Sequence, residues 1–382
     1  MNATDLQTLE TWATDPSGPV ALTLKQRLLP VECVSNEDVQ ILYPPTYADI
    51  GYNIDTVAED KRVALVDSVG SQANRMEPIF KTPELADLVP QIEIALGSGD
   101  DATRLSLLDL AHRGADAVVR SSGDLAKLVD SAFTTLRTTG NAGPLCAIAP
   151  TSLVFGVWDS RGTSEKRPRL IRSIIRAWDV DVLHSAAQFN SVWKELDEGS
   201  QKDLKAEADK RKKKLSEKGF ADAPAVFRNT KVSQRIGDAI NPEARVLGGV
   251  LVHGAIERDV TINLVALRGL RAGDDAETRA LQKYLFSLAL LSATTDIELF
   301  LREGCHLRCA DDADQWHAVP RRGKPEPVDL TSKSAAESIR TLASNGADHF
   351  RKAWPATREF TFDLKEAKKL LASKDEEEAQ PE

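Results

Sequence analysis

Short apolar runs separated by amphipathic stretches recur along most of this chain, and this pattern predicts a mixed α and β fold. A polar N-terminal segment, residues 1–18, predicts a helix that ends near Asp15, and the alternating stretch Val20–Leu29 predicts the first strand. Later apolar runs predict three more strands, the last two joined as a hairpin, at residues 153–157, 246–252 and 260–267. Short strands interspersed with helices are consistent with an α+β fold.

Two further stretches show the spacing of apolar residues that is typical of helices. The leucine-rich residues 277–301 predict a long helix packed on the sheet, and residues 104–120 predict another. In the second helix, His112 falls on the apolar stripe and is expected to face inward. A separate stripe of alternating charge consists of Asp109, Arg113, Asp116 and Arg120. Such a stripe is typical of a salt-bridged helix, and direct contact with a nucleic acid is the alternative.

Two long irregular insertions interrupt the predicted elements, at about residues 35–60 and 190–230. The first contains Tyr43, Tyr47 and Tyr52. Their rings either stack on a ligand or neighbouring subunit, or pin the loop to the protein surface. Both interpretations stay open on sequence alone.

The second insertion contains a charge-dense helix, predicted at residues 194–218. The basic run Lys210–Lys214 lies near the end of this helix. Most runs of this kind are solvated surfaces, and contact with nucleic acid is the alternative. The acidic residues 371–382 are expected to form a disordered tail.

A buried strand, a glycine turn and a short helix are predicted within residues 63–77, with Gly70 at the turn. The turn and the start of the helix carry neutral donors and one arginine, namely Ser71, Gln72, Asn74 and Arg75. Because a helix N-terminus exposes N–H groups and a partial positive charge, this turn suits a phosphate backbone. A capped structural helix that binds nothing is the alternative.

Basic residues concentrate in residues 161–176, where Glu165 is the sole acidic residue. The cations are Arg161, Lys166, Arg167, Arg169, Arg172 and Arg176. A helix here presents its arginines opposite an apolar stripe, whereas a strand from Ile174 places Arg176 and Trp178 on one face. In both cases guanidinium groups project from an apolar anchor, and their planar donors match phosphate oxygens. Acidic protein neighbours are the alternative partners.

The net charge of −9 argues at first against a nucleic-acid partner. Much of it lies in the tail, where one lysine faces five acidic residues, so the rest of the chain can still concentrate basic residues on one face. By length alone the 382 residues, 42% of them apolar, would form two or three domains, and a single elaborated domain over residues 19–370 is the alternative. Four cysteines, no secretory signal and no apolar run of membrane length predict a cytoplasmic protein without membrane contact.

Motifs for catalysis and cofactor binding are absent from the sequence: there is no nucleophile elbow, Walker loop or dinucleotide fingerprint. Cys305 and Cys309 flank His306, but a second ligand pair for zinc is missing, and structural thiols are the simpler interpretation. No metal, cofactor or catalytic residue is therefore predicted. Asp67 and Asp159 stand at predicted strand ends, where a catalytic carboxylate would lie, yet their neighbours favour structural roles.

Residues Asp67–Glu77 resemble a signature of the CRISPR-associated RAMP backbone subunit of type I-G effectors, formerly type I-U. Further segments resemble the same family in the same order: Pro44–Tyr47, Ala111–Ala117, Leu153–Ser160, Lys166–Ser173, Gly248–Val250 and Asn263–Arg268. The similarity covers about residues 20–302, and the charged segment 194–218 and the acidic tail are its weak points.

The resemblance implies an elaborated ferredoxin-like or RRM-like RAMP fold whose insertions form finger and thumb elements. It also implies a non-catalytic prokaryotic protein whose copies polymerise along CRISPR RNA in a Cascade-like ribonucleoprotein and present the spacer for pairing with target DNA in antiviral defence. Its other partners would be the large subunit and the guide-end-capping subunit. The predicted RNA contacts are Ser71, Gln72, Asn74, Arg75, His112, Arg113, Lys166, Arg167, Arg169, Arg172 and Arg176.

Two other functions agree with the sequence. A type III-like backbone subunit would cut target RNA with a loop aspartate and a metal ion. A protein-binding scaffold would not bind nucleic acid at all.

Overall fold

Alternating polarity makes the segment after the N-terminal helix a central strand. In the computed structural model, Leu22, Leu24 and Leu28 of this strand are buried on one face and Lys25 is exposed on the other. The structure describes residues 4–47, 50–59, 61–97, 102–184, 192–213, 215–218, 220 and 247–378. The architecture is mixed α+β, which confirms the predicted fold class at that level, and the largest sheet is antiparallel.

The strands of the described residues are β1 (Ala21–Pro30), β2 (Gln40–Leu42), β3 (Thr46–Tyr47), β4 (Gly51–Tyr52), β5 (Ile54–Ala58), β6 (Lys61–Asp67), β7 (Glu93–Leu96), β8 (Thr103–Ser106), β9 (Val157–Trp158), β10 (Lys166–Arg167), β11 (Ile171–Trp178), β12 (Val180–His184), β13 (Leu247–Val252), β14 (Ile256–Asn263), β15 (Phe300–Arg302), β16 (Cys305–Val319), β17 (Glu326–Pro327) and β18 (Glu359–Thr361).

The α-helices are α1 (Leu6–Thr14), α2 (Val69–Met76), α3 (Ala117–Arg120), α4 (Gly123–Thr139), α5 (Gly143–Ile148), α6 (Pro150–Val154), α7 (Glu198–Lys210), α8 (Leu264–Arg268), α9 (Asp275–Thr294), α10 (Lys333–Arg351) and α11 (Leu364–Glu378). Short 3₁₀ helices lie at Glu77–Lys81, Ala86–Leu88, Leu107–Asp109, Arg113–Ala115, Val192–Glu195 and Leu215–Lys218.

The main sheet has the strand order β15-β16-β1-β14-β11-β6-β5, and β17 pairs with β16. Neighbouring strands in it are antiparallel, with Leu24 of β1 opposite Val260 of β14 and Arg172 of β11 opposite Thr261. Smaller sheets are formed by β12-β13-β2, by β18-β7-β8, by β9 with β10 and by β3 with β4.

Two hydrophobic clusters lie on the apolar side of the main sheet. The larger cluster joins β1, β14 and β16 to α9, a helix that is buried along most of its length. The smaller cluster joins Leu28 of β1, Ile175 of β11 and Ile256 of β14 to the β12-β13-β2 sheet. The opposite side of the main sheet carries exposed polar residues such as Lys25 and Arg172.

A buried polar layer separates the two clusters, and Arg258 lies at its centre with 2% of its surface exposed. The Nε of Arg258 donates to Ser173 Oγ at 3.1 Å, and Nη1 donates to Gln26 Oε1 at 3.3 Å. These partners are neutral, and burial lowers the pKa of Arg258 to about 10. The layer therefore ties β1, β11 and β14 together at one level of the sheet.

Several elements that were predicted from the spacing of apolar residues are present in the structure. Helix α1 ends at Thr14, β1 and β13 occupy the predicted positions, and the predicted helix at 277–301 is α9, which ends earlier, at Thr294. The predicted helix at 194–218 contains α7 between two short 3₁₀ helices.

Other predicted elements were wrong in type or extent. Residues 153–156 are the end of α6 and a turn, because Pro150 begins a helix and Gly156 adopts a φ of 82°, and only Val157 belongs to a strand, β9. The strand predicted at 260–267 ends at Asn263, whose side chain accepts from Ala266 N and caps α8. The predicted hairpin between β13 and β14 does not form, since the two strands belong to different sheets.

The two predicted insertions are only partly described. The first, at 35–60, contains β2 to β5, and β5 forms one edge of the main sheet instead of leaving it. In the second, residues 190, 191, 214, 219 and 221–230 lie outside the described residues. At the C-terminus, α11 extends as far as Glu378, and residues 379–382 of the predicted tail also lie outside them.

Replacing Arg258 by methionine tests the polar layer. We expect Arg258→Met to lower the free energy of unfolding by roughly 2–5 kcal/mol, because Gln26 and Ser173 lose a buried donor. The matched control is Arg340→Met, which removes an arginine 39% exposed and paired with Asp87, and should cost about 1 kcal/mol or less. Chemical denaturation measures both, and equal losses would contradict a central role for the polar layer.

Candidate nucleic-acid interface

The predicted strand, glycine turn and short helix around Gly70 are present as β6 and α2. Ser68 caps the helix, with Ser68 Oγ accepting from Ser71 N at 3.2 Å. The helix ends at Met76 and continues as a 3₁₀ turn through Pro78. Ser71 is partly exposed and Asn74 is exposed.

Gln72 and Arg75, the other two predicted contacts in α2, extend the buried polar layer. Gln72 is fully buried, where its Nε2 donates to Asp67 Oδ2 at 2.7 Å and its Oε1 accepts from Ser173 Oγ at 2.7 Å. Arg75 Nε donates to Asp67 Oδ2 at 3.2 Å, and Nη2 donates to Leu301 O at 2.8 Å. Both side chains hold α2 to the sheet, so Asn74 is the most accessible of the four predicted residues.

The helix predicted at residues 104–120 does not form. These residues make β8, two 3₁₀ turns and the short helix α3, and the prediction that His112 faces inward was also wrong, because His112 is exposed. The physical reason is Arg113, whose φ of 52° is incompatible with a right-handed helix.

Arg113 is buried because it pairs with a carboxylate far away in the sequence. Its Nε donates to Glu77 Oε2 at 2.6 Å, and its guanidinium lies 5.3 Å from the centre of the Phe155 ring. Burial raises the pKa of Glu77 to about 7, and Arg113 opposes that rise. Of the predicted pair, Arg113 therefore anchors the loop from within and His112 lies at its surface.

A small hairpin of β9 and β10 carries the start of the basic segment. Asp159, fully buried at its turn, accepts from Thr163 N at 2.7 Å and from Thr163 Oγ1 at 2.8 Å. The same carboxylate pairs with the buried guanidinium of Arg120, which also lies over the Phe133 ring. These contacts fix the hairpin against the protein core.

The cations of this hairpin differ in what they contact. Arg167 Nε lies 2.8 Å from Glu165 Oε1, whereas Lys166 is exposed beside the indole of Trp158. Arg169 is exposed and rests against the backbone of Gly156, where a Cβ would lie 2.8 Å from Arg169 Cγ. Partial burial, together with the nearby Arg113, lowers the pKa of Arg169.

The rest of the basic segment is a strand, which excludes the helical alternative for residues 171–176. The strand begins at Ile171 and places Arg172 and Arg176 on the side of the sheet opposite Ser173. Arg176 lies 3.7 Å from Asp259, and Lys25 bonds Glu257 at 2.8 Å on the same side. Most charges on this side of the sheet are therefore neutralised by neighbours.

The structure thus divides the predicted contacts into three places. Gln72 and Arg75 lie on the helical side of the sheet with Ser71 and Asn74, and Arg172 and Arg176 lie on the other side. Arg169 lies against Gly156, whose carbonyl oxygen accepts from Arg113, and Lys166 lies on the β9-β10 hairpin that follows Gly156. Within the described residues, Lys166, Arg169 and Arg172 have no carboxylate within salt-bridge distance, and we call these three the free basic cluster.

The tyrosines of the first insertion differ in their burial. Tyr52 is buried, and its hydroxyl accepts from Gly249 N at 2.9 Å, so this ring pins the loop to β13. Tyr43 and Tyr47 are exposed. The stacking interpretation stays a prediction for these two.

Cys305, Asp67 and Asp159, the residues considered for metal or thiol chemistry, lie in the described part of the chain. No group of three His, Cys, Asp or Glu side chains there is arranged to hold a metal ion. Cys305 is buried, and burial raises the pKa of its thiol to about 11, as expected for a structural cysteine. Asp67 and Asp159 are both buried in structural contacts.

Sequence reasoning missed two residues of this region. Glu77, the buried partner of Arg113, belongs to the recognised signature, but no local pattern connects residues so far apart. Trp158 directly follows the strand predicted at residues 153–157 and was given no binding role, yet 59% of its surface is exposed. Its position between a glycine turn and a capping aspartate was the available signal.

Residues 22–182 match the family model described as CRISPR-associated protein GSU0053. The matched region runs from β1 into β12 and contains all the predicted RNA-binding residues. The match covers less than half of the chain, and over these residues it indicates similarity to a CRISPR-associated protein and so a role in CRISPR defence. No curated protein sequence matches the chain significantly. No helix among the described residues is long and apolar enough to cross a membrane.

The buried Glu77 makes a pH-dependent contribution to stability. Because its pKa is about 7 in the folded protein, against 4.5 for a glutamate in water, the folded state binds more protons between those pH values. We therefore expect the free energy of unfolding to decrease as pH rises through this window, by roughly 1.4 kcal/mol per pH unit at most.

The Glu77→Gln variant should lose this pH dependence of the free energy of unfolding. Glu337→Gln, which replaces an exposed glutamate, should keep it. Urea denaturation at several pH values between about 5 and 8 measures both. An unchanged slope in Glu77→Gln would contradict the assignment.

Proposed function

We propose that this protein is a non-catalytic backbone subunit of a type I-G Cascade-like complex. In this role it binds the sugar-phosphate backbone of CRISPR RNA without reading its sequence. Copies of the chain would assemble along the guide and hold the spacer for pairing with target DNA. The elaborated ferredoxin-like RAMP fold belongs to the same proposal.

The observation that carries the proposal is the free basic cluster inside the region matched by the CRISPR-associated family model. Its three cations project from the fixed β9-β10 hairpin and from the start of β11, while neighbouring cations such as Arg176 contact carboxylates. Arginine and lysine without protein partners favour a polyanion, and a rigid support lowers the entropic cost of binding it.

Assembly follows from the same proposal. A heterologous contact between copies that does not close on itself builds a filament along the guide. The ends of that filament would meet the guide-end-capping subunit, and its side would meet the large subunit. Target DNA would reach the protein only through base pairing with the guide.

Removing two cations of the free basic cluster tests the proposal. We expect the double variant Arg169→Ala with Arg172→Ala to weaken binding of short single-stranded RNAs of unrelated sequence by similar factors. Two lost phosphate contacts should reduce the slope of log affinity against log salt by about 1.4. Fluorescence anisotropy over a salt series measures this slope.

A matched control removes the same charge from the two ends of α10, on the helical side of the protein. Lys333→Ala with Lys352→Ala takes away two exposed lysines and should leave the slope unchanged. Circular dichroism checks that both variants fold. A folded Arg169 and Arg172 variant with the parental slope would mean that these arginines face protein, and absence of any RNA binding would favour the scaffold alternative.

The type III-like nuclease is the rival that requires its own experiment. We expect no metal-dependent cleavage of guide or target, and we expect Asp67→Asn and Asp159→Asn to cost roughly 3 kcal/mol or more of stability. Asp67 holds Gln72 and Arg75, and Asp159 holds Arg120. Cleavage with and without Mg²⁺ and denaturation curves measure the two effects. Metal-dependent cutting that either variant abolishes while still folded would favour the nuclease.

A further inference from the structure

Trp158 is unusually exposed for its residue type. At 59% exposed, it is more accessible than Phe300 at 52% or Tyr43 at 45%. An indole ring offers a large apolar surface, and leaving it in water forgoes the stabilisation that burial would give. This exposure favours a role for the Trp158 side chain in binding over a role in packing.

A cation is held beside this ring. Trp158 of β9 lies directly opposite Lys166 of β10, and Lys166 Nζ is 5.6 Å from the centre of the indole. Arg169 follows within the same basic segment and rests on the Gly156 backbone. An open aromatic surface with Lys166 beside the ring, and with Arg169 against Gly156 two residues before Trp158, is the chemistry that recognises one nucleotide, with the base on the ring and the phosphates on the cations.

The support beneath the ring is rigid. Asp159, the next residue, is fully buried and holds the hairpin turn through Thr163 and Arg120. Val157, the residue before Trp158, is also buried in the larger hydrophobic cluster. The backbone of Trp158 is thus fixed on both sides, and binding at the ring orders few additional groups.

We propose that Trp158 stacks on an unpaired base of single-stranded nucleic acid while Lys166 and Arg169 bind its adjacent phosphates. The inference rests on the proposed function, since it adds a base-stacking contact to a surface proposed to bind backbone. Every base presents a π face, so this contact strengthens binding without selecting a sequence.

The test compares two probes of equal length and charge: a fluorescein-labelled polyuridine of about twelve nucleotides and its abasic counterpart. We expect Trp158→Ala to weaken binding of polyuridine by about 5-fold to 100-fold, the range of one base-aromatic stack. Binding of the abasic probe should change less than about 2-fold, because its phosphate contacts remain. Trp158→Phe should retain most of the affinity for polyuridine.

Trp193→Ala is the matched control, because Lys205 lies over the Trp193 ring at 5.5 Å in the same kind of contact. It should bind both probes like the parent. A second readout is tryptophan fluorescence: polyuridine should quench the parent more than Trp158→Phe, and the abasic probe should quench both equally. Thermal unfolding confirms that each variant is folded.

The outcomes separate this inference from the proposed function. If the parent binds neither probe, the proposed function fails and the stacking site with it. If the parent binds both probes and Trp158→Ala changes neither affinity or changes both equally, stacking is overturned while backbone binding stands. Loss of self-association without loss of RNA binding would also overturn it, because Trp158 would then contact protein.

Discussion

A buried arginine is costly unless each of its donors finds an acceptor, and Arg258 sets that condition at the centre of the main sheet. Its acceptors, Ser173 on β11 and Gln26 on β1, reach it only in the observed strand register. A slip by one residue would turn Ser173 to the opposite side of the sheet and leave a charge buried without acceptors. Ser173 then donates to Gln72, which in turn donates to Asp67, so the same condition fixes α2 on β6. The register of three strands and the position of one helix therefore depend on a single polar layer between two hydrophobic clusters.

This dependence changes how the polar residues near α2 are understood. Gln72 and Arg75 are the residue types that bind phosphate, but the network already uses their donors, and a ligand would have to displace Asp67 to reach them. Arg113 is in the same situation, because Glu77 holds it in the core. Cations that satisfy internal carboxylates contribute to register and loop shape. Among the predicted contacts in the described part of the chain, the cations without such partners lie at the surface of the β9-β10 hairpin and at the start of β11.

Elements with strong local signals were predictable from the sequence. The alternation in β1 and the leucine content of α9 report burial directly, so both were predicted in type and nearly in extent. The helix expected at 104–120 does not form, because the spacing of apolar residues carries no information about the ion pair between Arg113 and Glu77 or about the positive φ of Arg113. The basic segment was found by charge, yet its division into paired and unpaired cations required strand register. Trp158 was missed for a related reason, since a sequence shows that a residue is apolar but not that its neighbours leave it exposed.

Charge distribution also bears on how a chain of net charge −9 would meet a polyanion. At physiological salt the Debye length is about 8 Å, so an approaching phosphate responds to the nearest charges and hardly to the total. On the open side of the main sheet, Glu257 and Asp259 offset Lys25 and Arg176, and they leave Arg172, at the start of β11, without an opposing carboxylate. At the β9-β10 hairpin, the buried Asp159 is compensated internally by Arg120, and Glu165 pairs with Arg167, which leaves Lys166 and Arg169 without opposing carboxylates. Burying the acidic partner of the turn thus keeps the hairpin rigid and its surface positive at once, which a surface salt bridge at the same place would not do.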